Sequence, residues 1–274
     1  MTSQLNTGGT EKQFVLLAGE LRRQGCRVEL GCLARRGPLL PEAGEIDEFP
    51  VAGSFVSRQA WRSRRALAAQ LRARQIAIAH SFDFYGNIML IPVARAAGVP
   101  VVLGSLRSLG DRLNPLQFEA LLLALRLCDR VVCNSHAAAR KLAEHGLPTE
   151  KLTIIPNALA PEAFGHAEPA FPRESGRLRV GMIGRMNERV KNQETFLRAS
   201  ALLAAQFPHA EFVIAGDGAL RPRYEQMARQ LGIAQRAHFL GDRRDIPAVL
   251  ASLDVSVAPS LSESLSNVII ESMA

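Results

Sequence analysis

Short apolar, β-rich runs alternate with helix-periodic stretches along almost the whole chain, and this alternation restricts the fold more than any other feature. Residues 10–24, "TEKQFVLLAGELRRQ", set Phe14, Leu17, Ala18 and Leu21 at helical spacing with charges on the other face. "CRVELGCLA" follows as a strand. An arginine-studded helix over 57–74 leads to the strand "QIAIAHS", which ends in His80. A helix over 84–97 passes through "GVP" to the strand "VVLGS"; helices over 115–127 and 136–145 then pair with "RVVCNS" and "KLTIIPN". Helix–strand repetition of this kind predicts a parallel sheet covered on both faces.

The rhythm stops over "PEAFGHAEPAFPRESGR" (161–177), where three prolines and two glycines occur without periodicity, as in an interdomain linker. It restarts with strand "LRVGMIG", helix 191–206, strand "EFVIAG", helix 219–231, strand "AHFLG", helix 245–252, strand "DVSVAPS" and a last helix from about 266. The expected architecture is α/β: two successive doubly wound parallel-sheet units with a cleft between them. Their expected spans are residues 1–165 and 178–274, joined by a linker over 166–177. In such sheets ligands bind beyond the carboxyl ends of the strands. Those ends carry His80, Asn134-Ser135, Asn157, Gly184-Arg185, Gly216 to Gly218, Gly241-Asp242 and Ser260 to Asn267.

Charge narrows the partners. The net charge of +7 is mostly N-terminal, with 20 Lys+Arg against 15 Asp+Glu in residues 1–170 and 13 against 11 in 171–274. A basic excess this diluted by acids does not point to nucleic acid. Cys26, Cys32, Cys128 and Cys133 form no C-x-x-C pair and sit in or beside apolar runs, which predicts buried, reduced thiols in a cytosolic protein. The polar opening "MTSQLNTGGTEKQ" predicts no signal peptide. No apolar run reaches the roughly 18–20 residues that span a bilayer.

Several residues suit phosphate chemistry. Gly184-Arg185 ends the strand "RVGMIG", and Lys191 is expected to open the next helix. A planar guanidinium and a compact ammonium at one strand end can together neutralise a diphosphate, or both can be solvated charges. "SESLSN" links a strand to a helix starting near Ser266, whose free N–H groups favour an anion. Glu263 in that loop and Glu271 more than a turn into the helix read as acceptors for the hydroxyls of a sugar and a ribose. Their plain reading is a capping carboxylate and a surface Glu. Gly216-x-Gly218 in "AGDGAL" is a fragment of a phosphate loop. The chain has no G-x-x-x-x-G-K-[ST], no Asp-x-Asp clamp for a metal-bound nucleotide sugar, and no histidines at metal-ligand spacing. A bound diphosphate would therefore be neutralised by protein cations and helix dipoles.

The ordered segments "LNTGGTE" (5–11), "IIPN" (154–157), "GMIGRMNERVKN" (181–192), "VIAGDG" (213–218) and "LGDRRDIPAVLASLDVSVAPSLSESLSNVIIESMA" (240–274) resemble the family-4 retaining glycosyltransferases. These have the GT-B architecture, two Rossmann-like domains facing each other across a deep cleft. The resemblance implies an acceptor-side first domain and a donor-binding second domain. Gly8-Gly9 would form the glycine loop after the first strand. Arg185, just after Gly184, and Lys191 would hold the donor diphosphate and stabilise the leaving nucleotide. Glu263 would bond the donor sugar's hydroxyls, with backbone groups of Ser264, Leu265, Ser266 and Asn267 touching sugar and phosphate. Glu271 would bond the ribose, and residues around Arg243 to Ile246 would lie near the base. The implied reaction moves a sugar from a UDP- or GDP-type donor to an acceptor hydroxyl with retention, with no cofactor and no metal, in cell-surface polysaccharide or glycolipid synthesis.

This chain departs from the pattern at several points. The family histidine at the end of "VVLGSLRSLGD" has no counterpart, and Arg107 stands near its place; "NALA" keeps Asn157 but not the following Gly and acid; Glu263 is followed by Ser264 instead of Gly. Only six residues precede Thr7, and the chain stops at Ala274, so a truncation at both ends is expected. The alternatives are a catalytically incomplete fragment that at most binds a nucleotide diphosphate and, less in keeping with Glu263/Glu271, a nucleotide-sugar epimerase. The helix "SRQAWRSRRALAAQLRAR" (57–74) suits peripheral contact with anionic membrane, at the inner face for a cytoplasmic protein, or plain solvation.

Overall fold

The computed structural model describes residues 1–172 and 176–274; residues 173–175 of the expected linker lie outside the described residues. The chain divides into two units, Met1–Ala158 and Leu159–Ala274, with the change falling earlier than the expected boundary at 165.

In the first unit β1 (Gly31–Cys32) pairs with β2 (Asp47–Glu48). The strands β3 (Ile78–His80), β4 (Val101–Leu106), β5 (Arg130–Cys133) and β6 (Leu152–Ile154) form a four-stranded sheet in that order, and every pairing is parallel. Met1–Ser3 runs between the two sheets. Thr2 bridges Cys32 on one side, and on the other Phe82 N donates to Met1 O at 3.0 Å while the Met1 amine donates to His80 O at 2.6 Å.

Local chemistry starts the helices. Ser57, Asp83, Asn114 and Ser135 each accept a backbone N–H at the start of α3 (Arg58–Ala73), α4 (Phe84–Ala97), α5 (Pro115–Arg126) and α6 (His136–Glu144). α5 adds a reciprocal bond from Gln117 and a proline in its first turn. Apolar faces of α3 to α6 and strand residues such as Val102 and Val131 enclose one core with Met89, Ile91, Leu121, Leu125 and Leu142. α1 (Gly9–Arg23) and the short α2 (Leu40–Ala43) bury Phe14, Leu39 and Ala43 in a smaller cluster with Leu5 and Phe82.

The second unit holds β7 (Leu178–Ile183), β8 (Ala210–Ala215), β9 (Ala237–Gly241) and β10 (Val255–Ser256), with α7 (Gln193–Gln206), α8 (Arg221–Gln230), α9 (Ile246–Ala251) and α10 (Asn267–Met273) between and after them. The sheet is parallel with order β10-β7-β8-β9. The chain therefore leaves β7 outward through β8 and β9, then crosses back to place β10 on the other side. Connections that depart in opposite directions from neighbouring strands open a crevice at their carboxyl ends. That reversal sets the turn after Ile183 beside the turn after Ser256. In the first unit the same reversal lies between the Met1–Ser3 segment and β3, beside Gly8, Gly9 and residues 81–83.

The structure corrects some expectations. "CRVELGCLA" contributes only the two-residue β1, which among the described residues ladders with the equally short β2 and is bridged by Thr2. Lys191 does not open a helix: it ends a single 3-10 turn, Arg189–Lys191, and Asn192 in the left-handed region (φ 58°) separates it from α7. Asn tolerates that conformation better than most residues. Cys32, Cys128 and Cys133 are buried and burial pushes their thiols up to about 11, 12 and 11, but Cys26, in the turn after α1, is exposed.

Candidate functional site

The turn after β7 is built backbone against backbone. Gly184 N donates to Ala215 O at 2.9 Å, and Met186 N to Asp217 O at 2.7 Å, so the β7 and β8 turns lie in direct contact. Two glycines permit this. A Cβ on Gly216 (φ 125°) would sit 2.3 Å from Gly184 O, and one on Gly218 (φ 150°) 2.4 Å from Met186 C. Gln193, fully buried at the start of α7, donates its amide to Gly184 O at 3.2 Å and Arg185 O at 3.0 Å. Its Oε1 is sealed and unbonded, so it is held here for the two carbonyls it clamps.

The turn after β10 is tied to the same place. Asn192 Nδ2 donates to Pro259 O at 3.0 Å, and Leu261 N to Val190 O at 2.9 Å. These bonds bring together side chains 72 residues apart: Lys191 Nζ makes an ion pair with Glu263 Oε1, which also accepts from Ser260 Oγ at 3.0 Å. The Lys191 stem packs along Gly184, where a Cβ would lie 3.1 Å from Lys191 Cγ. Arg185 is exposed, and among the described residues its guanidinium has neither an ion-pair nor a hydrogen-bond partner. The turn at this reversal of a parallel sheet thus carries the exposed Arg185 together with an internally neutralised pair.

The other expected residues are placed as follows. Glu263 leads through the half-buried Ser264 and Leu265 to the buried Ser266, which caps α10 without a side-chain bond; Asn267 opens that helix and Glu271 lies half-buried one turn on. Arg243 is committed to Asp245, with Nε to Oδ1 at 2.8 Å, and lies 5.9 Å over the Phe171 ring. Asp217 takes the Gly218 N–H at 2.7 Å and pairs with Arg221 at 2.9 Å, which holds its carboxyl below the usual range. Among the described residues no three His, Cys, Asp or Glu side chains gather into a group able to hold a metal ion.

In the first unit Gly8 precedes α1 in extended conformation and Gly9 begins it. His80 Nε2 lies 2.8 Å from Ser105 Oγ and the ring packs 4.5 Å from Phe82. Burial, reinforced by the Met1 amine and Arg107, lowers its pKa to about 3, so the imidazole stays neutral. Arg107 Nη2 donates to Asn157 Oδ1 at 2.5 Å and lies over the Phe82 ring at 5.5 Å. Gln13 of α1 clamps Ala158 in both directions, donating to its carbonyl at 2.6 Å and accepting its N–H at 2.9 Å. Gln13 and Gln193 escape a reading of the sequence, since both resemble ordinary polar residues near a helix start. Only burial on a face otherwise apolar marks them.

Residues 177–274 match the family described as Glycosyl transferases group 1, and residues 7–163 match Glycosyltransferase Family 4. EpsF of Bacillus subtilis (strain 168) is 31% identical over 209 residues, 70% of this chain and 53% of EpsF, so the chain spans about half the length of that relative. The alpha-D-kanosaminyltransferase of Streptomyces kanamyceticus is 27% identical over 269 residues, covering 88% of this chain and 68% of that protein. The crystal structure of Anabaena HepE in complex with UDP superposes with a TM-score of 0.81 at 20% identity, over 99% of this chain and 76% of HepE. That likeness establishes the α/β, parallel-sheet fold of the GT-B glycosyltransferases. Because the second of the two family matches spans more than half of the 274 residues, this chain belongs to glycosyltransferase family 4.

Proposed function

We propose that this chain transfers a sugar, with retention, from a nucleotide-diphosphate sugar to an acceptor hydroxyl, in the synthesis of a cell-surface polysaccharide or glycolipid. The Leu159–Ala274 unit holds the donor and the Met1–Ala158 unit serves the acceptor. The observation that carries the reading is the Lys191–Glu263 pair beside the unpartnered Arg185 at the β7/β10 reversal. A diphosphate binding there exchanges with Glu263 for Lys191 and adds Arg185. Glu263, released, accepts bonds from the donor sugar's hydroxyls, and Glu271 from the ribose. As the acceptor oxygen bonds the sugar's anomeric carbon, the bond to the diphosphate breaks and its electron pair moves onto the nucleotide phosphate. That phosphate takes up the acceptor hydroxyl's proton, while the two cations act on the growing charge. No metal is needed for that neutralisation. HepE is crystallised with UDP, which supports a UDP-type donor here.

Arg185→Ala and Lys191→Ala are each expected to lower single-turnover donor cleavage by about a hundredfold or more, with the melting temperature unchanged in the first and lowered by only a few degrees in the second. Near-wild-type rates in both would end the assignment. Tight nucleotide binding without transfer or donor hydrolysis would favour a non-catalytic binder instead. Product NMR reads the anomeric configuration, and an inverted anomer contradicts retention.

Among the described residues no helix is long and apolar enough to cross a membrane. We propose peripheral contact through α3. From Phe49 to Phe82 the sequence has six arginines and no acidic residue. Arg72 and Arg74 find partners in Ala96 O, Glu29 and Asp47, whereas among the described residues Arg58, Arg62 and Arg65 find none. These three border a hollow of about 250 Å³ with the exposed Trp61, at the helix end where a cation is unfavourable. Each such arginine contributes about 1 kcal/mol toward an anionic surface. Co-sedimentation with phosphatidylserine vesicles is expected to fall in an Arg58→Glu/Arg62→Glu variant. Equal binding to neutral phosphatidylcholine vesicles would refute the contact.

A further inference from the structure

We propose that Arg107 is the centre of a second oxyanion site, in the Met1–Ala158 unit, that takes a phosphate or carboxylate group carried by the acceptor. The word acceptor rests on the transfer reading above; the site itself does not.

A guanidinium withdrawn from water ordinarily has a carboxylate beside it. Two half-buried arginines of this unit follow that rule, Arg74 with Glu29 and Asp47, and Arg95 with Asp129, while Arg64, among the described residues, bonds only Phe55 O beside Trp61. Arg107 breaks it. Its one side-chain hydrogen bond among the described residues goes to the neutral Asn157, its face rests on Phe82, and no carboxylate pairs with it. Acids at the same end of the sheet are engaged elsewhere. Asp83 accepts from Thr2, Ser3 and Gly86, and Asp111 pairs with Lys141. Burial alone pulls the Arg107 pKa down to about 10, the sign of a cation without compensation.

The remaining N–H groups of Arg107 are not shut away. Among the described residues the one sealed, unbonded side-chain atom is Gln193 Oε1, so no donor of Arg107 is both sealed and unbonded. The residue follows Leu106 at the carboxyl end of β4, between His80 at the end of β3 and Asn157 after β6, where parallel sheets bind ligands. Asn157 and Phe82 hold the guanidinium plane in a fixed pose. A fixed planar fork with spare donors and no counter-charge is matched by an oxyanion with two oxygens. Phosphate and carboxylate share that chemistry.

The test uses the full chain with methyl phosphate, sodium glucuronate and, as a control for the other unit, UDP. The first readout is the Nε–H NMR signal of Arg107, and the second is the dissociation constant of each probe for wild type, Arg107→Lys and Arg107→Gln. At least one small anion should shift the signal saturably. Arg107→Gln should weaken that anion by about tenfold or more, as loss of a charge-assisted pair does, while UDP affinity holds and the melting temperature stays or rises. Arg107→Lys should retain part of the binding. Whichever anion binds tells a phosphate-bearing acceptor from an acidic sugar. Wild-type affinity for both anions in Arg107→Gln, or an Arg107 signal that moves with neither, overturns the proposal; so does a lowered melting temperature with unchanged binding, which makes Arg107 scaffold. Probe binding is read without sugar transfer, so failure here and failure of the transfer reading are separate results.

Discussion

Replacing Glu263 by glutamine removes one charge from the donor site and leaves its shape. Glu263 pairs with Lys191, and the two side chains are 28% and 26% exposed, so the pair is partly shielded. A pair of this kind is worth roughly 1 kcal/mol. A nucleotide diphosphate arriving without its sugar must displace Glu263 and gains nothing from it. Glu263→Gln lifts that competition, keeps an oxygen for Ser260, and should tighten UDP by up to about fivefold. Sugar transfer should move the opposite way. The hydroxyl bonds of a charged acceptor, about 1.5–3 kcal/mol each, are weakened, and kcat/KM falls by about tenfold to a hundredfold. Isothermal titration with UDP, followed by single-turnover assay, reads both. The double variant Lys191→Met/Glu263→Gln should lose the gain in affinity. If Glu263→Gln binds UDP no better than wild type, or worse, Lys191 is not the cation awaiting the phosphates.

Other expectations follow from single contacts. Gly216→Ala puts a Cβ 2.3 Å from the Gly184 carbonyl oxygen at a φ of 125° and should cost about 3 kcal/mol or more in urea unfolding. Gly53→Ala, whose φ is 76° but whose Cβ meets open space, should cost only about 1–2 kcal/mol. His80 has its pKa depressed to about 3, so the folded state refuses a proton that the unfolded state takes below about 6.5. Its stabilising contribution is complete above that value and declines as pH falls, by about 2 kcal/mol at pH 5. Urea titrations at pH 8 and pH 5 should show a loss about 2 kcal/mol larger in wild type than in His80→Gln, both sharing the loss from the buried Met1 amine, whose pKa falls to about 5; an equal loss in both would refute it.

What could be read from residues alone was periodic or punctuated. The alternation placed nearly every helix within a residue or two, because amphipathic spacing and caps such as Ser57 and Asp83 are local signals. It also put Gly184, Arg185 and Glu263 at strand ends, since a strand's carboxyl end is marked by where its apolar run stops. Pairings set by the ladder were not legible. The two-residue β1 and β10 look like longer strands in sequence, but only two residues of each enter a ladder. Nor does spacing reveal that Lys191 and Glu263 meet, because their contact depends on β10 crossing to the far side of β7. Cys26 sits in an apolar-looking context yet lies exposed in the turn that follows α1. The clamps made by Gln13 and Gln193 belong to the same class: a backbone carbonyl that needs a donor has no signature in the chain.

The claim on which the account depends is that Arg185 and Lys191 hold the donor diphosphate. Its most direct test is the dissociation constant of UDP for wild type against Arg185→Gln/Lys191→Met, measured at matched ionic strength alongside melting temperature. The expected result is a loss of about a hundredfold or more with the fold intact. An unchanged constant in the doubly substituted chain would contradict it.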